Sequence, residues 1–173
     1  EQSSWLSLPA GVYSSVASAD LDGDGAPDLV FGSTTGELVF LRNLLFTTTL
    51  RAEPRFASMP GVLPSLGNRV NEIGLADFDQ DGDPDLVAAL GHSSRIVRAP
   101  NAYFRNDGGW RFADVSSQLP SGTEDTRGLA IADFDADGHL DLALANRTNA
   151  EGSPSTVELY RNDGRGGFVD ASA

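Results

Sequence analysis

The chain alternates between short apolar segments and polar turns, and this pattern occurs three times. In "SSVASAD", "EIGLAD" and "GLAIAD", small residues alternate with larger ones at a period of two, which is typical of a half-buried strand. The segments that follow, "DLVFG", "DLVAAL" and "DLALAN", are almost continuously apolar, as in strands that are buried on both faces. A helical period persists nowhere for more than about two turns, so helices receive little support.

Two further strands complete each repeat. The third strand is predicted in "ELVFLRN", "NAYFRND" and "VELYRND", and the fourth in "PRFASM", "WRFADVS" and "GFVDAS". The turns "NDGG" at Asn106 and "NDGRGG" at Asn162 suit hairpins between these strands, because Asn, Asp and Gly tolerate a positive φ. The first repeat has "NLLFTTTLRAEP" in place of a tight turn. Each repeat is therefore predicted to be a four-stranded antiparallel meander.

Repeated four-stranded sheets of this length predict an all-β fold built from β-propeller blades. The expected boundaries are residues 13–60 for blade 1, 61–118 for blade 2 and 119–173 for blade 3, with an outer strand of a preceding blade in residues 1–12. The small residues of each first strand fit the crowded position nearest the propeller axis. Three blades cannot close a ring and leave two apolar sheet faces open. We therefore expect an incomplete ring, which either belongs to a longer chain or is half of an assembled propeller.

The composition agrees with a globular chain that is rich in turns. The 173 residues are 40% hydrophobic and include 19 glycines and 9 prolines, which favours short strands. A formal net charge of −13 argues against binding to nucleic acid or to anionic membrane surfaces, and no apolar stretch approaches the roughly 20 residues that span a bilayer. The absence of cysteine excludes disulfides and thiolate metal sites. Because the chain begins with Glu1, a mature or excised segment is expected.

The negative charge is concentrated in three copies of one motif, D-x-D-x-D-G-x-x-D-L. The copies begin at Asp20, Asp77 and Asp133, with spacings of 57 and 56 residues. Side chains at positions 1, 3 and 5 of a tightly curled loop can converge on one point. The glycine at position 6 permits the turn, a backbone carbonyl comes from position 7, and a carboxylate at position 9 closes the cage. Ligation by oxygen atoms alone favours Ca²⁺, so one ion is expected in each repeat.

The predicted ligands fall into two groups. The carboxylates are those of Asp20, Asp22, Asp24 and Asp28 in loop 1, Asp77, Asp79, Asp81 and Asp85 in loop 2, and Asp133, Asp135, Asp137 and Asp141 in loop 3. The position-7 carbonyls are those of Ala26, Asp83 and His139. If these were merely solvated acidic turns, the like charges would repel each other and nothing would require one register three times.

Two other uses of the motif are less consistent with the sequence. An EF-hand loop needs an acidic residue at position 12, where this chain has Phe31, Ala88 and Leu144. Acid–base catalysis needs carboxylates in different environments, whereas these loops are equivalent by repetition. Of the two histidines, His139 is expected to be a backbone ligand and His92 stands alone. We therefore expect a protein without enzymatic activity.

The aspartate loops, together with the "YRNDG" strands behind them, resemble FG-GAP or VCBS-type repeats. Such repeats build the integrin α-subunit β-propeller, many bacterial surface and secreted proteins, and some fungal lectins. The resemblance covers nearly the whole chain, although the literal "FG" occurs only at Phe31 and Gly32. It implies that each loop joins the first two strands of a blade and binds Ca²⁺ through the twelve aspartates. Family propellers usually carry seven blades, so three blades depart from the pattern.

Strand alternation places the aspartate loops on one rim and the longer loops on the other. Those longer loops are residues 60–70, 91–100, 119–127 and 146–155, and loops on a rigid scaffold often carry binding. Candidate contacts there are His92, Arg95, Arg98 and Glu151, although a solvated variable loop explains each of them equally well, and the ligand is unknown. Trp110, Tyr103, Phe104 and Tyr160 are expected on strands in the core. Arg42, Arg105 and Arg161 recur before Asn43, Asn106 and Asn162. This recurrence favours a structural role for them, such as a buried hydrogen-bond network, over a unique site.

Two functions follow from these observations. The first is a calcium-stabilised module for recognising protein partners in adhesion or extracellular assembly. The second is a lectin with glycan pockets repeated between the blades. Because millimolar extracellular calcium would fill even weak sites, we expect a secreted or cell-surface location.

Overall fold

The computed structural model describes residue 6 and residues 8–44, 55–91, 100–121, 125–147 and 156–172. These ranges contain twelve β-strands and one short 3-10 helix, at Ser116–Gln118. Within them there is no α-helix, and therefore no helix with the length and apolar character needed to cross a membrane.

The strands form three four-stranded antiparallel sheets, each of which pairs its strands in chain order. Blade 1 contains β1 (Tyr13–Ala19), β2 (Asp28–Ser33), β3 (Leu38–Asn43) and β4 (Phe56–Met59). Blade 2 contains β5 (Arg69–Ala76), β6 (Asp85–Gly91), β7 (Ala102–Asn106) and β8 (Phe112–Asp114). Blade 3 contains β9 (Asp125–Ala132), β10 (Asp141–Arg147), β11 (Val157–Asn162) and β12 (Phe168–Asp170). The predicted all-β fold of three meanders is confirmed. In the predicted outer strand within residues 1–12, residues 1–5 and 7 lie outside the described ranges, and residues 8–12 form no strand.

Two hydrophobic cores hold the blades face to face. Blade 1 packs on blade 2 through a core that includes Val30, Phe40, Leu86 and Phe104. Blade 2 packs on blade 3 through a second core that includes Tyr103. Successive β6 side chains alternate between these two cores, and every residue of β6 is buried. This explains why the second strand of the repeat is continuously apolar rather than alternating.

The first strands of the blades lie beside one another and contact the next blade closely. At Gly74 in β5, an added Cβ would lie 2.7 Å from the terminal carbons of both Leu129 and Ile131 in β9. The small residue therefore leaves room for the larger side chains of the neighbouring first strand. Small residues were predicted in the first strands because of crowding near the propeller axis. At Gly74, this crowding comes from direct contact with the first strand of the next blade.

A hydrogen bond between consecutive first strands recurs at the bulges in β1 and β5. Ser14 and Asn71 lie where the strand register shifts, so each is left out of the regular pairing. The Ser14 hydroxyl donates to the carbonyl of Val70 at 2.6 Å, and the Asn71 amide donates to the carbonyl of Thr126 at 2.6 Å. Each bulge therefore turns a polar side chain towards the next blade.

The second residue of the aspartate motif offers a matched test of the packing between blades. Phe78 is fully buried between blades 2 and 3, whereas Phe134, its equivalent in blade 3, is 47% exposed. We expect Phe78→Ala to lower the free energy of unfolding by about 3–5 kcal/mol and Phe134→Ala by no more than about 1 kcal/mol, measured by urea denaturation. Equal losses for the two variants would contradict this packing.

Candidate metal centres

The three aspartate loops connect β1 to β2, β5 to β6 and β9 to β10, and they curl in the same way. The glycine at position 6 has a positive φ in every loop, of 88° at Gly25, 100° at Gly82 and 92° at Gly138. Position 4 is also left-handed, with φ of 76° at Gly23, 61° at Gln80 and 62° at Ala136. The sequence indicated the turn at position 6 but not the one at position 4, because Gln and Ala show no preference for this conformation.

The aspartates at positions 1, 3 and 5 accept hydrogen bonds from the backbone of their own loop. Asp20 accepts from the N–H of Asp24 at 3.1 Å and from that of Gly25 at 2.7 Å, and equivalent bonds occur at positions 1 of the other two loops. Each carboxylate at positions 3 and 5 accepts from the backbone N–H two residues later. The backbone thus wraps around the carboxylates and holds them close together.

The aspartate at position 9 is buried and joins three parts of the blade. Asp85 is 0% exposed; one of its oxygens accepts from the backbone N–H of Phe78 at 3.2 Å, and the other accepts from that of Asn106 at 2.8 Å. Asp28 and Asp141 make the same pair of bonds in their own blades. This carboxylate therefore fixes the start of the loop to the third strand.

Burial also changes the acidity of two of these groups. It raises the pKa of Asp28 to about 6 and that of Asp85 to about 6, although hydrogen bonds from the backbone lower both values in part. Neighbouring aspartates contribute to the rise. A cation next to these carboxylates would favour their ionised form, because opposite charge stabilises the anion.

In each loop, three carboxylates bring their oxygen atoms within 4.8 Å of one another. The triads are Asp20, Asp22 and Asp28 in loop 1, Asp77, Asp79 and Asp81 in loop 2, and Asp133, Asp135 and Asp141 in loop 3. A compact set of carboxylate oxygens fits a hard cation such as Ca²⁺. The predicted carboxylate ligands outside these triads are Asp24, Asp85 and Asp137. Each of them lies in the same loop as its triad and makes the backbone bonds described above.

The residues at position 7 remain predictions as carbonyl ligands, and the side chains of two of them lie against glycines in the neighbouring turns. At Gly108 in the turn between β7 and β8, an added Cβ would lie 2.9 Å from an Asp83 carboxylate oxygen. At Gly164 in the equivalent turn of blade 3, it would lie 2.7 Å from Nε2 of His139. These contacts add a second reason for the glycines in the "NDG" turns, besides their positive φ.

Two expectations about individual side chains need correction. Trp110 lies in the turn after β7 with a φ of 66°, not on a strand. Its ring packs edge-on against Phe40, and its indole N–H donates to Oδ2 of Asp22 at 3.1 Å. The expected buried network is met in part in blade 1, where Arg42 pairs with the largely buried Asp22 and Asp24. The side chains of Arg105 and Arg161 are 39% and 51% exposed and pair with Asp107 and Asp135 of their own blades. Tyr103, Phe104 and Tyr160 are buried, as expected.

Sequence reasoning missed the role of the asparagine that follows each of these arginines. Asn106 is fully buried, and its amide donates to the carbonyl of Leu21 in loop 1 at 3.1 Å and to that of Pro84 in its own blade at 3.2 Å. Asn162 bonds in the same way to Phe78 in loop 2 at 2.9 Å and to Leu140 at 3.0 Å. Each of the first two loops is therefore tied to the next blade. The sequence does contain one indication of this role, because the pair "RN" recurs at the end of the third strand in every repeat.

Comparison with known proteins agrees with this geometry. Residues 77–144 match the family model of the FG-GAP-like repeat. Residues 77–144 are thus similar to an FG-GAP-like repeat. That match spans the second and third loops, and the structure gives the first loop the same backbone conformation and hydrogen bonds.

The fold is also similar to part of a solved structure. An Agrocybe aegerita lectin that specifically recognises non-reducing terminal N-acetylglucosamine is 22% identical, with a TM-score of 0.58. The alignment covers 91% of this chain but 38% of the lectin chain, so the likeness concerns the fold of a part of that protein. No curated protein sequence matches this chain.

The rim opposite the aspartate loops is described only in part. The candidate contacts His92, Arg95, Arg98 and Glu151 lie outside the described residues. A cavity of about 520 Å³ opens where β7 begins and β8 ends, and Tyr160 of blade 3 also contributes to its wall. Its lining combines prolines and Leu119 with the hydroxyl-bearing Ser117 and Ser121.

Proposed function

We propose that the chain is a calcium-binding β-propeller repeat module that recognises protein partners outside the cell and has no enzymatic activity. The observation that carries this proposal is the carboxylate cage, which occurs three times with the same backbone bonds. In each loop, Ca²⁺ would be held by the carboxylates of the triad, completed by the other predicted ligands. The match to the FG-GAP-like repeat supports the same assignment.

In this function the ion stabilises a rigid rim. It would offset the repulsion among carboxylates that the backbone already holds together. Because Asp85 and its equivalents connect each loop to a third strand, the order imposed on the loop extends into the sheet. The three loops have the same backbone geometry, which suits a repeated stabilising element better than acid–base chemistry. Extracellular calcium at millimolar concentration would keep such loops filled.

Removal of calcium should destabilise the protein. We expect the melting temperature in millimolar calcium to exceed that in excess chelator by on the order of 10 °C, because the ion binds the folded loops only. Asp79→Asn should lower the calcium stoichiometry by one ion, whereas Asp114→Asn, at an exposed residue outside the loops, should leave it unchanged. Thermal denaturation and titration calorimetry measure both effects. Identical melting curves with calcium and with chelator would contradict the proposal.

The open face of blade 3 supports self-association as part of this function. On this face, which points away from blade 2, Val157 is 73% exposed and Val169 is 52% exposed, and the motif residue Phe134 is 47% exposed. Phe78, the equivalent of Phe134, is fully covered by the next blade. Another blade of the same type therefore fits here. We propose blade 1 of a second copy as the occupant, because that contact would continue the existing stacking of blades.

Light scattering tests this assembly directly. The chain is expected to have more than its monomer mass of 18.2 kDa at micromolar concentration. Val157→Lys should shift it towards the monomer, because a charge would be buried in the new interface. A stable monomer before substitution would exclude the second copy and leave the face to further repeats of a longer chain.

Lectin activity is the second candidate, favoured by the fold of the N-acetylglucosamine-binding lectin and by the cavity between blades 2 and 3. Hydroxyl groups beside apolar surface suit a sugar. A glycan array separates the two functions: a lectin should retain N-acetylglucosamine-terminated glycans, and Ser117→Trp, which fills the cavity, should abolish retention. A protein-recognition module should retain no glycan on the array.

A further inference from the structure

The three loops share a motif but differ in the positive charge beside them. In loop 1, Nε of Arg42 lies 2.6 Å from Oδ2 of Asp22, and its Nη2 lies 3.1 Å from Oδ2 of Asp24. The Trp110 indole N–H donates to the same Asp22 oxygen at 3.1 Å. The side chains of Asp22 and Asp24 are only 6% and 19% exposed. Two of the four carboxylates in this loop therefore already hold a cationic group.

The equivalent arginines of blades 2 and 3 pair less closely with the carboxylates of their own motifs. In blade 2, Nε of Arg105 lies 2.7 Å from Oδ1 of Asp107, which belongs to the turn after β7 and not to the motif. In blade 3, Nη1 of Arg161 lies 3.9 Å from Oδ2 of Asp135, whose side chain is 39% exposed. Loop 2 also has a fifth aspartate, Asp83, at position 7. Loop 2 thus combines the most carboxylates with an arginine whose ion pair lies outside the motif, and the charge of Arg105 acts on Asp79 only from beyond ion-pair distance.

This difference has a direct electrostatic consequence. The affinity of an oxygen site for Ca²⁺ depends strongly on the number of charged ligands and on the rigidity of the site. A cation entering loop 1 must displace the Arg42 guanidinium from Asp22 and Asp24 or share these carboxylates with it, at a cost in repulsion. Because arginine stays protonated at all relevant pH values, a change of pH does not remove this competition.

We propose that Arg42 is an internal competitor for the calcium ion of loop 1, so that loop 2 fills first and loop 1 fills last. This proposal rests on the calcium binding proposed above and adds the order in which the loops fill. Over a range of calcium concentrations, the other loops would then already be filled while the occupancy of loop 1 still changes. Calcium-dependent change would be concentrated at the contact between loop 1 and Trp110 of blade 2.

Terbium luminescence excited through tryptophan alone can observe loop 1 separately from the other two loops. Excitation must avoid tyrosine absorption, because the Tyr103 hydroxyl donates to Asp85 of loop 2 and would sensitise a terbium ion there. The Trp110 indole touches Asp22, so it should sensitise a terbium ion bound in loop 1. The chain has two tryptophans, so Trp5→Phe leaves Trp110 as the only one, and Trp110→Phe then identifies the origin of the signal. We expect this emission to rise only after calorimetry shows that most of the ions have bound. Arg42→Gln should lower its midpoint concentration on the order of tenfold.

Two further variants serve as controls. Arg105→Gln removes the same charge from the equivalent position of blade 2, where the arginine pairs outside the motif, and should leave the loop 1 midpoint unchanged. Arg42→Lys keeps the charge but loses the planar fork that reaches both carboxylates, so it should shift the midpoint in the same direction by a smaller amount. This second variant tests the proposal even if Arg42→Gln fails to fold.

The outcomes distinguish this inference from the proposed function. If ions bind but the loop 1 midpoint is unchanged in the Arg42 variants, Arg42 is not a competitor and this inference alone is overturned. A midpoint that rises would overturn it as well, because Arg42 would then orient the carboxylates for the ion. If no loop takes up calcium or terbium, both the proposed function and this inference are overturned.

Discussion

The rest of each blade depends on the hydrogen bonds that the aspartate at the ninth position of the motif accepts. This aspartate is an acidic group without access to solvent, and it is tolerated there because two backbone N–H groups point at its oxygens. One of these groups belongs to the beginning of the loop and the other to the end of the third strand. A single side chain therefore sets the loop conformation, the spacing of the first three strands and the position of the neighbouring asparagine.

The asparagine at the end of the third strand connects this buried aspartate to the neighbouring blade. Its backbone N–H binds the buried aspartate of its own blade, and its side-chain amide binds the loop carbonyl of the preceding blade. The bulged first strands make a second hydrogen bond between the same blades. Apolar packing also holds neighbouring blades together, but it has no direction of its own. These hydrogen bonds fix the register in which the two sheets pack.

The repeat, the strand order and the clustering of the aspartates could be predicted from the sequence because each is a local pattern. A period of two, a run of apolar residues and a fixed spacing of carboxylates need no knowledge of distant residues. The roles of Asn106 and Trp110 could not be predicted in this way, because their partners Leu21 and Asp22 lie more than 80 residues earlier in the chain. The same limit applies to the arginines. Arg42 and Arg105 occupy equivalent positions, and only the structure shows that their partners differ.

The arrangement of the two cores has a consequence for how the protein loses its structure. Within a single copy, only blade 2 of the three described blades is covered on both faces, and β6 lies between the two cores. In a stack that is stabilised by contacts between neighbours, the outer units open at a smaller free-energy cost than the central one. Local opening should therefore begin at blades 1 and 3, and the amide hydrogens of β6 should exchange with solvent most slowly. The protein would then behave as a short linear array with a persistent centre.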